Sequence, residues 1–549
     1  MPLASVKKLA KRSAAGFDRE ARVSIALSFI IGALVGLVVV AFILLTGRLA
    51  ARMYPANSSA WRRVLTPVIG AAVSGWLLYR FFPDARGSGI PQTKFAIFIN
   101  DGYISLRTAM GKFLCCSISL ASGIALGREG PSVQIGAAIA SDLGRLFGLS
   151  KTNLRALLPM GCSAALAAAF NTPIAAVLFS LEEIMGDLHA PVLGSVVISS
   201  ATSWMVLHLI LGDQALFHVP AYHLVNPLEF LLYAVLGIAG GLVSVVFVKL
   251  LLWLRLLFRK LPRSTVWIQP AIGGLTVGLL ALYLPEVMGV GYDYVERVLG
   301  GDLALRTVLM LIVLKIIATT TCYSSGNAGG IFGPSLFIGA MIGAALGSVA
   351  HYLFPAITAG PGAYALVGMG AAFAGIVRTP LTSVIMIFEL TRDYTIIVPV
   401  MIANLISFAI SYRLQRQPIY EALAHQEGVS LPTLRDIGEG RPTVNDIVRP
   451  IGDTDEPAAL AAMLDAGVHL WPVVKNGQLV FLAGAGGAAP GLAELVYPDS
   501  SLSSALEKMG AGKVDALPVM SRAVSGKVLG VVTMPDVLAA FGVPEVHPV

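Results

Sequence analysis

The sequence is poor in charged residues and in cysteine. Of its 549 residues only 13% are Asp, Glu, Lys or Arg, whereas 56% are hydrophobic. A typical soluble protein carries about 25% charge, so this composition and the mean hydropathy of +0.77 exclude a string of soluble domains. The four cysteines lie in apolar segments without metal-ligand spacing, so we interpret them as core residues and expect neither a disulfide framework nor a metal site. The remaining class is a polytopic membrane protein.

The charges divide the chain into two unlike segments. Residues 425–549 carry 14 acidic and 8 basic residues, whereas the first 424 carry 31 basic and 18 acidic residues. The cations concentrate beside apolar segments, most clearly before the first one, at Lys7, Lys8, Lys11, Arg12, Arg19 and Arg22. We interpret this surplus as a positive-inside signal. The chain is therefore expected in the cell (inner) membrane, in contact with lipid and with both termini in the cytoplasm, and no nucleic acid is expected as a partner.

The apolar segments predict an all-α membrane unit. Val23 to Gly47 contains no charge and is too long for the apolar core of a signal peptide, which has about 7 to 15 residues. Later apolar stretches are often too short, or too interrupted by Gly and Pro, to be simple spans. We expect a basic cytoplasmic segment (1–22), a membrane unit (23–424) and a small cytoplasmic α/β domain (440–549), where short Val- and Leu-rich runs favour strands.

The membrane unit contains an internal repeat. An offset of 203 positions superposes Lys112 on Lys315 and Gly130-Pro131-Ser132 on Gly333-Pro334-Ser335, and an offset of 207 superposes Glu182 on Glu389. Two halves, at about 23–215 and 225–424, are therefore expected. In transporters such halves are commonly inverted, with the binding site at their interface near the middle of the bilayer.

The repeat also locates a candidate site. Each half has a Gly-rich turn followed by Gly-Pro, a pattern that starts a helix because Pro at the first position loses only an amide that would be unbonded anyway. Two such turns pointing inward would direct two positive helix ends at one point, which predicts an anion site. The halves differ there: Arg128-Glu129 stands opposite Ile331-Phe332.

Four segments resemble the anion pathway of the CLC family of chloride channels and transporters. They are Gly87-Ser88-Gly89-Ile90-Pro91, Gly127-Arg128-Glu129-Gly130-Pro131, Gly329-Gly330-Ile331-Phe332-Gly333-Pro334 and, near the end of the unit, Tyr420. The resemblance covers about residues 20 to 425. It implies a homodimer with a separate pore in each subunit, and about 17 or 18 helices of uneven length per subunit.

Two glutamates carry the functional hypothesis. A carboxylate at an anion site competes with chloride when ionised and leaves when protonated; the resemblance identifies Glu129 as this gating glutamate. A structural alternative is a Glu129–Arg128 pair, because buried carboxylates need a partner. In the repeat, Glu183 is aligned with Leu390 and so has no acidic counterpart. By the resemblance, Glu183 matches the inner glutamate through which exchangers pass protons. Together they favour chloride/proton exchange over a passive gated channel, which is the alternative.

The resemblance also implies the donors that bind chloride. They are the hydroxyl groups of Ser88 and Tyr420 and the backbone near Gly130, Ile331 and Phe332. From the residues alone, Ser88 is equally a turn residue between glycines, and Tyr420 an aromatic residue at the membrane interface. The resemblance also implies that serine, rather than proline, at position 88 favours chloride over nitrate.

Other charged residues recur in both halves. Glu182 and Glu389 coincide in the repeat, so we expect a shared structural role at a helix end. Lys112 and Lys315 also coincide, and are read either as solvated helix ends or as contributors to a positive pore potential.

The C-terminal segment resembles a pair of CBS domains. Gly530 to Asp536 is similar to a ribose-contacting segment, in which Thr533 and Asp536 would bind sugar hydroxyls. The first module should repeat it, but Val480 to Gly486 has neither Thr nor Asp. Adenine-nucleotide binding is therefore doubtful, no cofactor is expected, and a structural or dimer-stabilising role is favoured. No H-E-x-x-H, suitable G-x-S-x-G or Walker motif is present, which argues against an enzyme.

Overall fold

A computed structural model describes residues 3–55, 58–188, 192–213, 216, 217, 219, 224–429, 443–484, 495–512, 514–522, 524 and 526–540, with side chains from Val23 onward. The chain forms two compact units that divide after Leu423. The larger unit is helical. Its first eight helices are α1 (Leu3–Met53), α2 (Ala60–Arg80), α3 (Ile90–Phe98), α4 (Leu106–Ala121), α5 (Glu129–Leu146), α6 (Lys151–Phe170), α7 (Pro173–Phe179) and α8 (Leu193–Leu211).

The next eight helices repeat this order. They are α9 (Glu229–Lys260), α10 (Gln269–Tyr283), α11 (Tyr292–Leu299), α12 (Leu305–Ser324), α13 (Phe332–Leu353), α14 (Pro361–Val377), α15 (Pro380–Thr391) and α16 (Ile397–Leu414). A further helix, α17 (Ile419–Gln426), follows, and a π-helical segment, Ser180–Met185, extends α7. The all-α architecture, with 17 helices among the described residues of this unit, confirms the predicted fold class.

The two halves share backbone conformations at matched positions. Gly123 and Gly326 both adopt left-handed conformations, with φ of 96° and 90°, at the turns that follow α4 and α12. Asn171 and Arg378, which end α6 and α14, also have positive φ values of 60° and 68°. Non-glycine residues rarely adopt this conformation, so its recurrence shows that the repeat read from the sequence is a repeat of structure.

Glycine lets equivalent helix pairs cross closely. A Cβ atom added at Gly136 of α5 would lie 2.2 Å from the carbonyl oxygen of Gly161 in α6, and the reverse distance is also 2.2 Å. At the matching crossing of α13 and α14, a Cβ atom added at Gly339 or at Gly368 would lie 2.3 Å from the carbonyl oxygen of the other glycine. Without water to drive apolar association, small residues that allow backbone contact hold helices together in a membrane.

Helix length varies as the broken hydrophobic pattern predicts. Within the described residues, seven helical segments are long and apolar enough to cross a membrane, beginning with Val23–Met53. The helices α3, α7 and α11 have only 9, 7 and 8 residues. At 1.5 Å per residue these three are too short to span the hydrocarbon layer, so they begin or end inside the unit.

The smaller unit combines helices with antiparallel strands. Its elements are α18 (Val444–Ile447), β1 (Arg449–Pro450), α19 (Glu456–Asp465), β2 (Leu470–Lys475), β3 (Gln478–Gly484), α20 (Leu502–Gly512), β4 (Ala516–Met520), β5 (Val528–Thr533) and α21 (Met534–Ala540). One sheet has the order β1-β5-β4, and β2 pairs with β3. Alternating apolar residues of β4 and β5 pack against α20 and α21 around Leu517, Val519 and Val532.

Candidate functional site

The site is built where the two halves meet. The N–H of Gly127 donates to the Gly330 carbonyl and the N–H of Gly330 donates to the Gly127 carbonyl, both at 2.7 Å. This reciprocal pair joins the turns that precede α5 and α13. It brings two helix N-termini together, as the Gly-Pro pattern predicts, and concentrates their unbonded amides and positive dipole ends.

The N-terminus of α3 lies against the same point. A Cβ atom added at Gly130 would lie 2.6 Å from the Ser88 carbonyl oxygen, and one at Gly89 would lie 2.4 Å from the Gly130 carbonyl oxygen. Any side chain at Gly89 or Gly130 would separate α3 from α5. The glycines of both motifs therefore allow the close approach that places Ser88 at the site.

Ser88 and Tyr420 present unused hydroxyl groups. Both residues are fully buried, and in the described part of the chain neither hydroxyl has a hydrogen-bond partner. Tyr420 lies in the first turn of α17 and interacts electrostatically with both Glu183 and Glu129. Buried hydroxyls left unpaired are costly, so two of them in one region fit a partly dehydrated anion as their acceptor.

Glu129 is fully buried at the start of α5, with its carboxylate at the start of α13. Oε2 accepts a hydrogen bond of 3.2 Å from the N–H of Gly333, and Oε1 accepts one from the hydroxyl group of Tyr292. The carboxylate thus occupies the position where helix-end amides would hold an anion. Among the described residues it forms no ion pair with Arg128, whose guanidinium instead lies 5.5 Å from the Tyr292 ring centroid.

Ile331 and Phe332 line the other side of this junction. Ile331 is the residue before α13 and Phe332 is its first residue, and both are buried. The Phe332 ring packs against Phe170, Phe179 and Phe373 at centroid distances of 4.7, 5.4 and 4.3 Å. This aromatic cluster fixes the start of α13 while leaving its backbone beside Glu129.

Glu183 has a partner that the sequence analysis did not identify. Its Oε1 lies 2.9 Å from Nζ of Lys94, and both side chains are less than 10% exposed. Glu183 sits on the π-helical segment after α7, whereas Lys94 lies on α3, the helix that begins beside Ser88. The short helix α3 therefore runs from the turn that contains Ser88 to the lysine that pairs with Glu183.

Glu182 and Glu389 have the structural role that the repeat predicts. Glu182 accepts hydrogen bonds from the N–H groups of Leu381 and Thr382 at the start of α15, at 3.3 and 2.8 Å. Glu389, near the end of α15, accepts from Ile174 and Ala175 at the start of α7, at 2.9 and 2.7 Å. Each carboxylate caps the helix of the opposite half.

The expectation that Lys112 and Lys315 are solvated helix ends is wrong. Both are fully buried. Nζ of Lys112 donates to the Gly87 carbonyl at 2.7 Å, and Nζ of Lys315 donates to the Gly289 carbonyl at the same distance. They lack a carboxylate partner among the described residues, and a contribution to a positive pore potential, the other interpretation, stays a prediction.

Sequence reasoning also missed Tyr292 and Glu229. The repeat offset of 202 positions, which pairs Gly87 with Gly289, pairs Ile90 with Tyr292, so the criterion that found Glu129 would have found this tyrosine. Glu229, at the start of α9, is fully buried and accepts from the N–H groups of Val225 and Ala359 and from the Tyr364 hydroxyl. Its contacts fasten α9 to α14.

In the smaller unit, Thr533 and Asp536 contact each other. The Thr533 hydroxyl donates to Oδ2 of Asp536 at 2.6 Å, and the Arg449 guanidinium donates to both Asp536 oxygens at 2.7 and 2.8 Å. Partial burial of Asp536 opposes ionisation, but these hydrogen bonds outweigh it and hold its pKa below the usual range. Val480 to Gly484 lie in β3, and residues 485 and 486 of the first module fall outside the described residues.

Comparisons with known proteins agree with this architecture. The model of the voltage gated chloride channel family matches residues 69–412, and a CBS domain matches residues 494–542. The chain is 35% identical over 362 residues to the H(+)/Cl(-) exchange transporter ClcA of Vibrio campbellii, covering 65% of this chain and 77% of that protein. It is 33% identical over 378 residues to the putative chloride channel protein ClcB-like of Ralstonia nicotianae, covering 68% of this chain and 87% of that protein.

Among solved structures, a slow cyanobacterial Cl-/H+ antiporter superposes with a TM-score of 0.67 and 26% sequence identity, covering 74% of this chain and 97% of that one. Together the family match, the paired halves and the convergence of helix ends on Glu129 show that this multi-pass membrane chain belongs to the voltage-gated chloride channel, or CLC, family, with a CBS domain near its C-terminus.

Proposed function

We propose that this protein exchanges chloride for protons across the membrane. The observation that carries the proposal is the Glu129 carboxylate, bound by Gly333 and Tyr292 at the junction of two helix N-termini. An ionised carboxylate there excludes an anion from its own position. A protonated one loses its attraction to the helix ends and can leave. Proton uptake by Glu129 therefore allows an anion to enter, and the carboxylate and the anion occupy the same position in turn.

The remaining residues fit the same function. Ser88 and Tyr420 offer hydroxyl donors to a chloride ion, and the backbone at Gly130, Ile331 and Phe332 lies at the junction. Glu183, with Lys94 beside it, supplies a second buried carboxylate for proton transfer. The ClcA relative is named an exchanger, which supports this assignment.

The proposal is tested in liposomes that contain the purified protein, with chloride and proton electrodes recording both fluxes. A chloride gradient should drive protons uphill, and Glu129→Gln, which mimics the protonated carboxyl, should abolish proton movement while chloride flux continues. Asp142→Asn removes a half-exposed carboxylate from the same helix, α5, and should leave both fluxes unchanged. Uphill proton movement in Glu129→Gln would refute the assignment.

A passive chloride channel is the second candidate, because the ClcB-like relative is named a putative channel. The reversal potential separates the two functions. In a channel it follows the chloride gradient alone, whereas in an exchanger it also shifts with the pH gradient.

We further propose that the protein is a homodimer with a pore in each subunit and with both termini in the cytoplasm. Exposed apolar side chains such as Met205 and Leu209 on α8 and Leu405 on α16 offer a face for a second copy. Cross-linking of single-cysteine variants on α8 in membranes tests the dimer. Accessibility of cysteines placed at each end of the chain to a membrane-impermeant reagent tests the orientation.

We propose a structural role for the C-terminal unit, without a bound cofactor. Asp536, which would contact a ribose, is engaged by Arg449 and Thr533. Titration calorimetry with ATP and AMP should show no binding, and a saturable heat would contradict this proposal.

A further inference from the structure

Tyr292 places a phenol hydroxyl at the same point as the Glu129 carboxylate. The hydroxyl donates to Oε1 of Glu129, whose other oxygen accepts from the N–H of Gly333. A Cβ atom added at Gly333 would lie 3.1 Å from the Tyr292 hydroxyl oxygen and 3.2 Å from Oε2 of Glu129. Another, added at Gly127, would lie 2.3 Å from the same Oε2. The absence of side chains at these glycines leaves the space that the carboxylate fills.

The Tyr292 ring is fixed from two sides. Phe217 packs edge-on against it, with ring centroids 5.5 Å apart and planes at 90°. The Arg128 guanidinium lies 5.5 Å from the ring centroid. A cation over the ring withdraws electron density from the phenol and makes its O–H a stronger donor. The hydroxyl is therefore oriented and polarised toward a negative charge.

The junction of α5 and α13, where the Glu129 carboxylate lies, is named the outer position. We propose that the Tyr292 hydroxyl is a shared donor of this position: it binds the Glu129 carboxylate when that group is there, and the transported anion after Glu129 has left. When a proton converts the Glu129 carboxylate to a neutral carboxyl group and the side chain moves away, the hydroxyl loses its acceptor. Chloride entering beside Gly333 then restores a hydrogen bond to it. Tyr292 thus binds the anion and also holds the Glu129 carboxylate by a hydrogen bond.

The inference rests on the proposed anion transport but not on proton coupling, because anion binding can be measured at equilibrium. Chloride is titrated by calorimetry into purified Glu129→Ala protein, in which no carboxylate competes for the outer position. Addition of Tyr292→Phe should weaken chloride binding about tenfold, since one hydrogen bond to a charged group is lost. Bromide should show the same loss.

A matched control comes from the same helix. Tyr294→Phe removes a phenol hydroxyl two residues away, on a side chain that Arg297 covers at 5.7 Å, and should leave chloride affinity unchanged. In the native Glu129 background, Tyr292→Phe should change the chloride affinity less than threefold. The substitution there weakens the binding of chloride and the binding of the competing Glu129 carboxylate together. A purely structural role would change both backgrounds equally.

Equal chloride affinity of Glu129→Ala with and without Tyr292→Phe would overturn the proposal, whatever the flux assay shows. Absence of proton coupling together with a tenfold affinity loss would instead refute exchange and leave the Tyr292 assignment intact.

Discussion

At the scale of single residues, the site depends on which polar groups are satisfied. Glu129 has donors for both of its oxygens, whereas the hydroxyls of Ser88 and Tyr420 have no partner in the part of the chain that the structure describes. Under the proposed function, the Glu129 carboxylate fills one anion position, and the hydroxyls of Ser88 and Tyr420 are donors for another. Glu129, which breaks the sequence repeat, thus makes the two helix N-termini at the junction unequal.

Lys94 gives a prediction at this scale. Lys94→Met leaves the buried Glu183 carboxylate without its cation, and removing one member of a buried pair costs about 3 to 5 kcal/mol. Glu183 then retains a proton instead of passing it on, so proton flux should fall at least tenfold while chloride flux falls less. Proton and chloride electrodes measure both in liposomes.

Two further variants test whether this effect comes from the ion pair. Lys94→Arg keeps the charge and should retain most proton flux, and Lys94→Met combined with Glu183→Gln should transport like Glu183→Gln alone. Lys151→Met, at an exposed lysine that pairs with Asp101, serves as the control. Normal proton flux in Lys94→Met would show that the pair has no part in proton transfer.

At the scale of helices, each half supplies a glutamate that caps the N-terminus of a helix in the other half. Glu182, after α7, accepts hydrogen bonds from the first amides of α15 in the other half. Glu389, near the end of α15, accepts them from the first amides of α7. This arrangement requires an approximate two-fold axis between α7 and α15, in agreement with the reciprocal bonds of Gly127 and Gly330. Symmetry thus positions the asymmetric site residues.

The exchanged caps predict a shared effect on stability. Glu182→Gln and Glu389→Gln each replace a charged cap by a neutral one and should each destabilise the membrane unit by about 1 kcal/mol. The midpoint of thermal unfolding in detergent should fall by a similar amount for both, with the chloride-to-proton flux ratio unchanged. A change in that ratio for Glu182→Gln would mean that this residue takes part in proton transfer.

Much of this architecture was readable from the sequence, because it depends on local chemistry and on the repeat. Gly-Pro turns predicted the starts of α5 and α13 to within two residues, since Pro131 and Pro334 are the third and not the first residues of these helices. The coincidence of Glu182 with Glu389 predicted their common role. The ion pair of Glu183 with Lys94 was not readable, because the two residues lie 89 positions apart and no local pattern encodes such a contact. The repeat could have singled out Tyr292, but not its hydrogen bond to Glu129, which is 163 positions away. The burial of Lys112 and Lys315 was missed because their ammonium groups donate hydrogen bonds to carbonyl groups of distant turns and not to acidic side chains.

At the scale of the whole molecule, the scarcity of charge has a structural counterpart. Among the described residues of the membrane unit, six charged side chains are buried: Lys94, Lys112, Lys315, Glu129, Glu183 and Glu229. Lys94 and Glu183 pair with each other, and the hydrogen bonds of the other four are with backbone groups and tyrosine hydroxyls. Three lysines and three glutamates thus balance in formal charge, although only one ion pair forms among these six side chains.

The C-terminal unit differs from the membrane unit, because none of its described charged side chains is buried and all keep some contact with water. Its Arg449–Asp536 pair joins β1 to α21, and the hydrogen bonds to Asp536 hold the pKa of this carboxyl below its ordinary value of 3.8. A carboxyl with a lowered folded pKa adds stability at pH values above its unfolded pKa, and this contribution disappears as the pH falls through the folded pKa.

Asp536→Asn should therefore loosen β5 and α21 at neutral pH, and the difference from the native chain should shrink progressively below about pH 3.8. Hydrogen exchange of peptides covering residues 528–540, followed by mass spectrometry on the full-length protein, measures this at each pH. Asp465→Asn, at an exposed carboxylate at the end of α19, should leave the exchange unchanged. A difference that persists unaltered into strong acid would mean that Asp536 stabilises this unit through packing and not through its charge.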